Sequence, residues 1–446
     1  MSSRPNLDPV FHRDPDHHYP VVDRAEGALL YDVDGKRYLD AAGGVFVINI
    51  GHSAPGVAEA MARQAGRVAF AHTAHFTSAA EQEFARRLLS LAPPEFNKAW
   101  ICTSGSQANE TAIKLSRSFH LLNGEGARSQ VISRWNSYHG STLGALSLTG
   151  HTLRREQFAP YLFPSPKIEP PYCYRCPFGK TYPSCRLACA DDLDTEIRRV
   201  GPANVAAFIA EPVSGGPLGA LVPPTDYLRR IREICDRHGI LMILDEVVTG
   251  AGRTGRAFGF EHFDVIPDIE TLAKGIGGGF VPIGAVLVHD RVYQHFEASR
   301  APFRHGETFA GHAVLAAAGS AVLEHLERER LILRAHEMGE ILGRKLAALE
   351  TLASVGDVRG LGMLWGVELV ADKSSKRPFP RARKMAEAVA KAALADGLIV
   401  VAGTGCVDGA NGDVITLAPP FIISNEEIDE IVAKLAAAIS ACTPPA

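Results

Sequence analysis

Between Lys98 and Asp290, short apolar runs alternate with segments of helical periodicity. That alternation constrains the fold more than any other property of the chain. "KAWICT" precedes a helical pattern at "SQANETAIKLSRSFH", "QVISRW" precedes "YHGST", and "VAAFIAEPV" precedes "DYLRRIREICDRHG"; "ILMILDEVV" and "PIGAVLVHD" follow. Strands that are apolar along their whole length need cover on both faces, and helices in the connections supply it. The pattern therefore predicts an α/β chain with a mainly parallel, doubly covered sheet. At 446 residues the chain exceeds one ordinary domain and has room for a smaller companion. A long helical stretch is expected from His312 to about Leu352, after which the pattern changes: "VGDVRGLGMLWGVELV" reads as a hairpin, followed by a helix, a strand pair and a final helix at "NEEIDEIVAKLAAAIS". The N-terminal "GALLYDVDGKRYLDAAGG" carries a "DVDG" turn between apolar runs, as a hairpin does. The expected division is an N-terminal segment, 1–60, joining the small α+β domain, then a large domain over 61–325 and the small domain over 326–446.

Composition removes several classes of function. A net charge of -4 gives no electrostatic reason to expect nucleic acid or an anionic membrane. The first twenty residues lack the apolar core of a signal peptide, and no run of about 18 apolar residues occurs elsewhere, so a cytoplasmic location is the expectation. Eight cysteines in a chain of this length do not make a secreted disulfide scaffold.

Four segments carry chemistry. In "TLAKGIGGGFVPIGAV", Lys274 precedes its glycines, whereas a nucleotide phosphate loop places the lysine after them, which excludes that loop. The glycines would let a flat cofactor approach the backbone; the competing reading is a surface lysine at a turn. In "ILMILDEVV", an apolar strand ends in Asp245 and Glu246, at the sheet edge where open α/β sheets bind ligands. An acidic pair there could bind magnesium, but no phosphate loop lies upstream. In pyridoxal phosphate (PLP) enzymes an aspartate at this edge keeps the pyridine nitrogen protonated. "ICTSGSQANETAIKLSR" leads a strand through Ser104, Gly105 and Ser106 into a helix whose N-terminal N–H groups suit a phosphate, although an ordinary serine cap reads the same way. In "WNSYHGSTLGALSLTG", Tyr138 and His139 follow a strand, placing an aromatic ring at the sheet edge.

In this order the four segments resemble the class III (subgroup II) aminotransferases, PLP enzymes of fold type I. The resemblance spans nearly the whole chain and includes "LLYDVDGKRYLDAAGGVFVINIGH", "TSGSQANETAIKL", "YHGST", "IAEPV", "LDEVVTGAGRTG", the "AKG" lysine, "HGETFAGH" and "APPFIIS". It implies a large domain with a mainly parallel sheet of the seven-stranded type, and a smaller α+β domain. By resemblance, Lys274 holds the cofactor covalently and acts as the base, and Asp245 pairs with the pyridine nitrogen. Val247 lies beneath the ring and Tyr138 over it, with His139 in the same motif. Ser104, Gly105 and Ser106 serve the phosphate, and Glu211 stands near the ring's 3-oxygen. Thr308 would reach the phosphate from a neighbouring subunit, implying a homodimer or a dimer of dimers. The implied reaction moves an amino group, terminal or ω, to a keto acid such as pyruvate or 2-oxoglutarate in two ping-pong halves.

The chain departs from this pattern in two places. Many relatives bind the keto-acid carboxylate with an arginine where "DVITLAPPF" has Thr416, and others carry one where "GLIVVAGTG" has Val401. Without that bidentate clamp, either Arg253, Arg256 or Arg304 substitutes, or the substrate lacks the carboxylate. The alternative on the same scaffold is a PLP racemase, decarboxylase or phospho-lyase. Phe46, His72, His75 and Phe76 are the expected pocket lining. The second departure is "PPYCYRCPFGKTYPSCRLACA", where Cys173, Cys176, Cys185 and Cys189 have spacing suggestive of structural zinc or iron–sulfur. Four reduced thiols in an ordered loop are the competing reading, and no metal is assigned. A non-enzymatic nucleotide- or metal-binding protein built on that loop is the third reading.

Overall fold

The computed structural model describes residues 9–443; residues 1–8 of the N-terminal segment lie outside the described residues. The strands of the central sheet are β1 (Phe96–Cys102), β2 (Gln130–Arg134), β3 (Lys167–Ile168), β4 (Val205–Ala210), β5 (Leu241–Asp245), β6 (Ile269–Leu272) and β7 (Gly284–His289), in the order β1-β7-β6-β5-β4-β2-β3. β2 to β6 run parallel to one another, and β7 lies antiparallel between β1 and β6. Every residue of β4 and β5 is buried, as strands covered on both faces require. Their side chains divide by twos. Ala207, Ile209, Leu241 and Ile243 join a core with Ala108, Ala112 and Leu115 of the helix Gly105–Leu122. Phe208, Ala210, Met242 and Leu244 face the opposite side, with Tyr227, Ile231 and Phe258.

Two four-stranded sheets complete the architecture. Val22–Glu26, Leu29–Asp32 and Arg37–Asp40 form an antiparallel set, and Leu398–Ile399 adds to it in parallel, so the N-terminal segment shares a sheet with a strand near the C-terminus. The hairpin Val355–Leu361 and Leu364–Leu369 pairs with Asp413–Leu417, which pairs with Val401–Thr404. The final helix, Asn425–Cys442, starts on a capping box formed by Ser424 and Glu427. The helical stretch expected from His312 is two helices, Ala313–Arg328 and Leu331–Ala347, separated where Arg330 adopts a φ of 52°. Among the described residues no helix is long and apolar enough to cross a membrane.

Candidate active site

Each chemistry-bearing segment leaves the carboxyl end of a parallel strand. Ser104–Ser106 follow β1, Tyr138 and His139 follow β2, Glu211 follows β4, Asp245 ends β5 and Lys274 follows β6. Sheet topology thus gathers residues up to 170 positions apart (Ser104 to Lys274) on one edge, where such sheets bind ligands.

Asp245 is the most firmly held. Its Oδ1 accepts from the Val247 N–H at 3.0 Å, and its Oδ2 accepts from Asn109 Nδ2 and His139 Nδ1, both at 2.8 Å. Aspartate, asparagine and histidine are all buried, and His139 Nε2 has no protein partner. Asn109 was not among the residues picked out from sequence. Its Nδ2 also donates to the His139 carbonyl at 2.7 Å, and its Oδ1 accepts from Thr271 Oγ1 at 2.8 Å. It thereby ties together the ends of β2, β5 and β6. The available signal was its spacing: Asn109 stands one helical turn after Gly105, on the helix face that carries the buried Ala108 and Ala112.

Glu246, next in sequence, takes no part in this cluster. It turns to the other face, where it accepts from Thr249 Oγ1 and from the N–H groups of Gly259 and Phe260. Burial pushes its carboxyl up to about 7. The two acidic side chains therefore do not form a metal-binding pair.

Lys274 has a φ of 48°, a left-handed conformation that costs a non-glycine residue roughly 1–2 kcal/mol. Its Nζ lies 5.6 Å from the Phe46 ring centroid. Burial pulls the ammonium down to about 8, against the opposing pull of Asp245 and Glu211 and with help from Arg253 and Arg154. Two of the glycines after it make room for the N-terminal segment: a Cβ on Gly275 would meet Asn49 Nδ2 at 3.0 Å, and one on Gly279 would meet Ile48 Cδ1 at 2.2 Å. That segment delivers Phe46 through a left-handed turn in which Gly43, Gly44, Val45 and Phe46 all have positive φ.

At the helix N-terminus the Ser104 hydroxyl is committed to capping, accepting from the Gln107 N–H at 3.2 Å. The N–H groups of Gly105 and Ser106 remain free of protein partners. Ser106 Oγ accepts from the Ser141 N–H at 3.1 Å. A Cβ on Gly105 would stand 2.8 Å from both methyls of Val247, so the phosphate-type cradle and the valine share one tight contact. Glu211 is buried; Oε1 accepts from the Gly215 N–H at 3.2 Å, and Arg134 stands 3.8 Å from Oε2. Tyr138 is half-buried at the same edge.

Other sequence-picked residues lie elsewhere. His72, His75 and Phe76 are exposed and form an aromatic chain with Phe70, Phe309 and His312 rather than a wall with Phe46. Thr308 is exposed beside Phe309. Arg253 is fully buried, and its guanidinium donates to the carbonyls of Met363, Ala418, Pro419 and Ile48 over the Phe421 ring. That ties three chain segments together at a fully buried position; burial pulls the group down to about 9. Arg256 donates to the Glu261 carbonyl and lines a separate cavity with His262, His336 and Trp365. Arg304 is exposed between Phe303 and His305, which pack on Trp100.

Cys173, Cys176, Cys185 and Cys189 all border one cavity of about 10 Å³, the size of a single water. Their thiols are free, and burial and mutual proximity push Cys189 up to about 12. Among the described residues no three His, Cys, Asp or Glu side chains are arranged to hold a metal ion.

The family profile Aminotransferase class-III matches residues 10–439. The chain is a class III aminotransferase. It is 38% identical over 424 residues to the uncharacterized aminotransferase YodT of Bacillus subtilis, covering 95% of each chain. A thermostable (S)-enantioselective omega-transaminase from Thermomicrobium roseum superposes with a TM-score of 0.91 at 37% identity, covering 97% of both chains. An amine transaminase from an uncultivated Pseudomonas species, solved in a PLP-bound form, gives 0.90 at 34% identity over 99% of both. The fold is that of the type I PLP enzymes, the chain is an enzyme, and its cofactor is PLP. The residues fit that group: a fixed carboxylate, a buried lysine and free N–H groups at a helix N-terminus surround one sheet edge. PLP-dependent amino-group transfer displaces the binding-protein reading, and the racemase, decarboxylase or phospho-lyase alternative is not favoured.

Proposed function

We propose that this aminotransferase moves a terminal or ω-amino group to a keto acid such as pyruvate or 2-oxoglutarate by a ping-pong route. One observation carries the site assignment: a carboxylate held by three hydrogen bonds, Asp245, shares a sheet edge with a lysine whose ammonium is pulled down to about 8. PLP supplies an electron-withdrawing ring that makes a carbon–hydrogen bond of the amine acidic. Lys274 would hold the cofactor and, as a neutral amine, would take that proton as the base. Asp245, oriented by Asn109 and His139, would keep a proton on the ring nitrogen. Val247 and Tyr138 would hold the ring, the Gly105 and Ser106 N–H groups would take the phosphate behind the Ser104 cap, and Glu211 would serve the 3-oxygen. Phe46 shapes the amine pocket, with His72 and Phe76 reaching a site only across a subunit boundary.

A homodimer accounts for the exposure of Phe76 (66%) and Phe309 (55%) beside Thr308. In this reading Thr308 serves the partner's phosphate. The division at 1–60, 61–325 and 326–446 draws support from the sheet that Arg37–Asp40 shares with Leu398–Ile399, and a cytoplasmic setting from the sequence. The test is a panel of amino donors scored with and without pyruvate or 2-oxoglutarate. Turnover should require the keto acid, and turnover of every active donor without one would overturn the proposal.

A further inference from the structure

The two positions where relatives carry a carboxylate-binding arginine are a single place in this fold. Val401 and Thr416 are cross-strand partners. Thr416 is fully buried and its Oγ1 has no partner, so the spot holds an alkyl group and an unsatisfied hydroxyl, with no cation. Arg253 is spent on backbone carbonyls and Arg256 lines another cavity.

Arg154 is differently placed. Its guanidinium carbon stands 5.0 Å over the ring centroid of Tyr138. Its short helix, Thr152–Arg155, is anchored to the strand pair that lacks the arginine: His151 Nε2 donates to the Thr404 carbonyl at 2.9 Å, and Thr152 packs against Gly409. Arg154 is exposed, and among the described residues no carboxylate pairs with it. It is also near enough to Lys274 to oppose that lysine's charge. A guanidinium offers a planar fork matched to a carboxylate, and its hold on an aromatic face is weak when exposed, about 0.5–1 kcal/mol. Such a group can turn toward an acidic substrate and away from an apolar one.

We propose that Arg154 binds the carboxylate of the keto-acid acceptor, replacing from the Tyr138 side the arginine absent at Val401 and Thr416. This rests on the transfer to a keto acid proposed above. The decisive experiment titrates PLP-loaded wild type, Arg154→Gln and Arg154→Lys with propionate and glutarate, unreactive carboxylates, by calorimetry. Loss of a charge-assisted pair should weaken binding about 10–100-fold in Arg154→Gln, with Arg154→Lys intermediate. The preference for pyruvate over propanal, as a ratio of kcat/KM, should fall by a similar factor. Unchanged carboxylate binding in Arg154→Gln would overturn the proposal, as would failure of wild type to bind either carboxylate. Loss of PLP retention with carboxylate binding intact would also overturn it, moving Arg154 to the cofactor phosphate. If no keto acid supports turnover by wild type, the transfer reading fails, while the titration still decides what Arg154 binds.

Discussion

Replacing Asn109 with alanine isolates the support of Asp245 from Asp245 itself. The substitution removes three buried hydrogen bonds: Nδ2 to Asp245 Oδ2 at 2.8 Å, Nδ2 to the His139 carbonyl at 2.7 Å, and Thr271 Oγ1 to Oδ1 at 2.8 Å. Two are between neutral groups and contribute about 1 kcal/mol each, while the one to a carboxylate contributes about 1.5–3 kcal/mol, so the fold should lose roughly 4 kcal/mol. Catalysis should lose less. Val247 N–H and His139 still hold the carboxylate from two sides, so only the charged bond's share bears on the ring nitrogen. About 2 kcal/mol of that share corresponds to a fall of roughly 30-fold in the rate of the amine half-reaction. Stopped-flow absorbance of the cofactor with saturating amine measures that rate, and chemical denaturation measures the stability. Wild-type rate together with wild-type stability would show that Asn109 does not support Asp245. A variant as inactive as Asp245→Ala would make Asn109 a primary participant rather than a support.

Four other outcomes follow from the structure. Burial lowers Lys274 from 10.5 to about 8, so its neutral, proton-accepting form grows as pH rises. The base-dependent step should climb through about pH 8 and level off above it, and a flat profile from about pH 6.5 to 9.5 would contradict the assignment. The same shift means the unfolded chain binds more protons between those values: below pH 8 the cofactor-free fold carries the full burial penalty, and it should gain stability as pH rises from 8 to 10.5. Arg253→Met strands carbonyls of four residues and should cost about 3–4 kcal/mol in thermal denaturation; a wild-type melting curve with a selective rise in keto-acid KM would restore Arg253 as a substrate residue. Gly105→Ala forces a methyl to 2.8 Å from Val247 and should weaken PLP retention about 10-fold or more, with partial recovery in the double variant with Val247→Ala; no recovery would show that the two do not share a contact.

Sequence reading reached residues whose position follows from strand ends. Asp245 closes an apolar run and Lys274 follows another, so their place at the sheet edge was legible without coordinates. Asn109 was not, because an asparagine inside a helix announces nothing until its face is known to point at β5 and β6. Val401 and Thr416 looked like two separate absences fifteen residues apart, and only the strand pairing makes them one spot. The burial of Arg253 is hidden for the opposite reason. An arginine in a glycine-rich segment reads as accessible, whereas here tertiary packing turns it inward against four carbonyls. "TLRREQ" reads as an exposed helical turn, so the approach of Arg154 to Tyr138 is visible only in three dimensions.

The identity of the lysine that holds the cofactor decides the site assignment, and chemical trapping measures it directly. Borohydride reduction of the PLP-loaded enzyme fixes the cofactor to that side chain, and peptide mass spectrometry locates it. PLP is expected on the peptide containing Lys274, with no labelling in Lys274→Ala. Label on any other lysine of the wild-type enzyme would contradict that assignment.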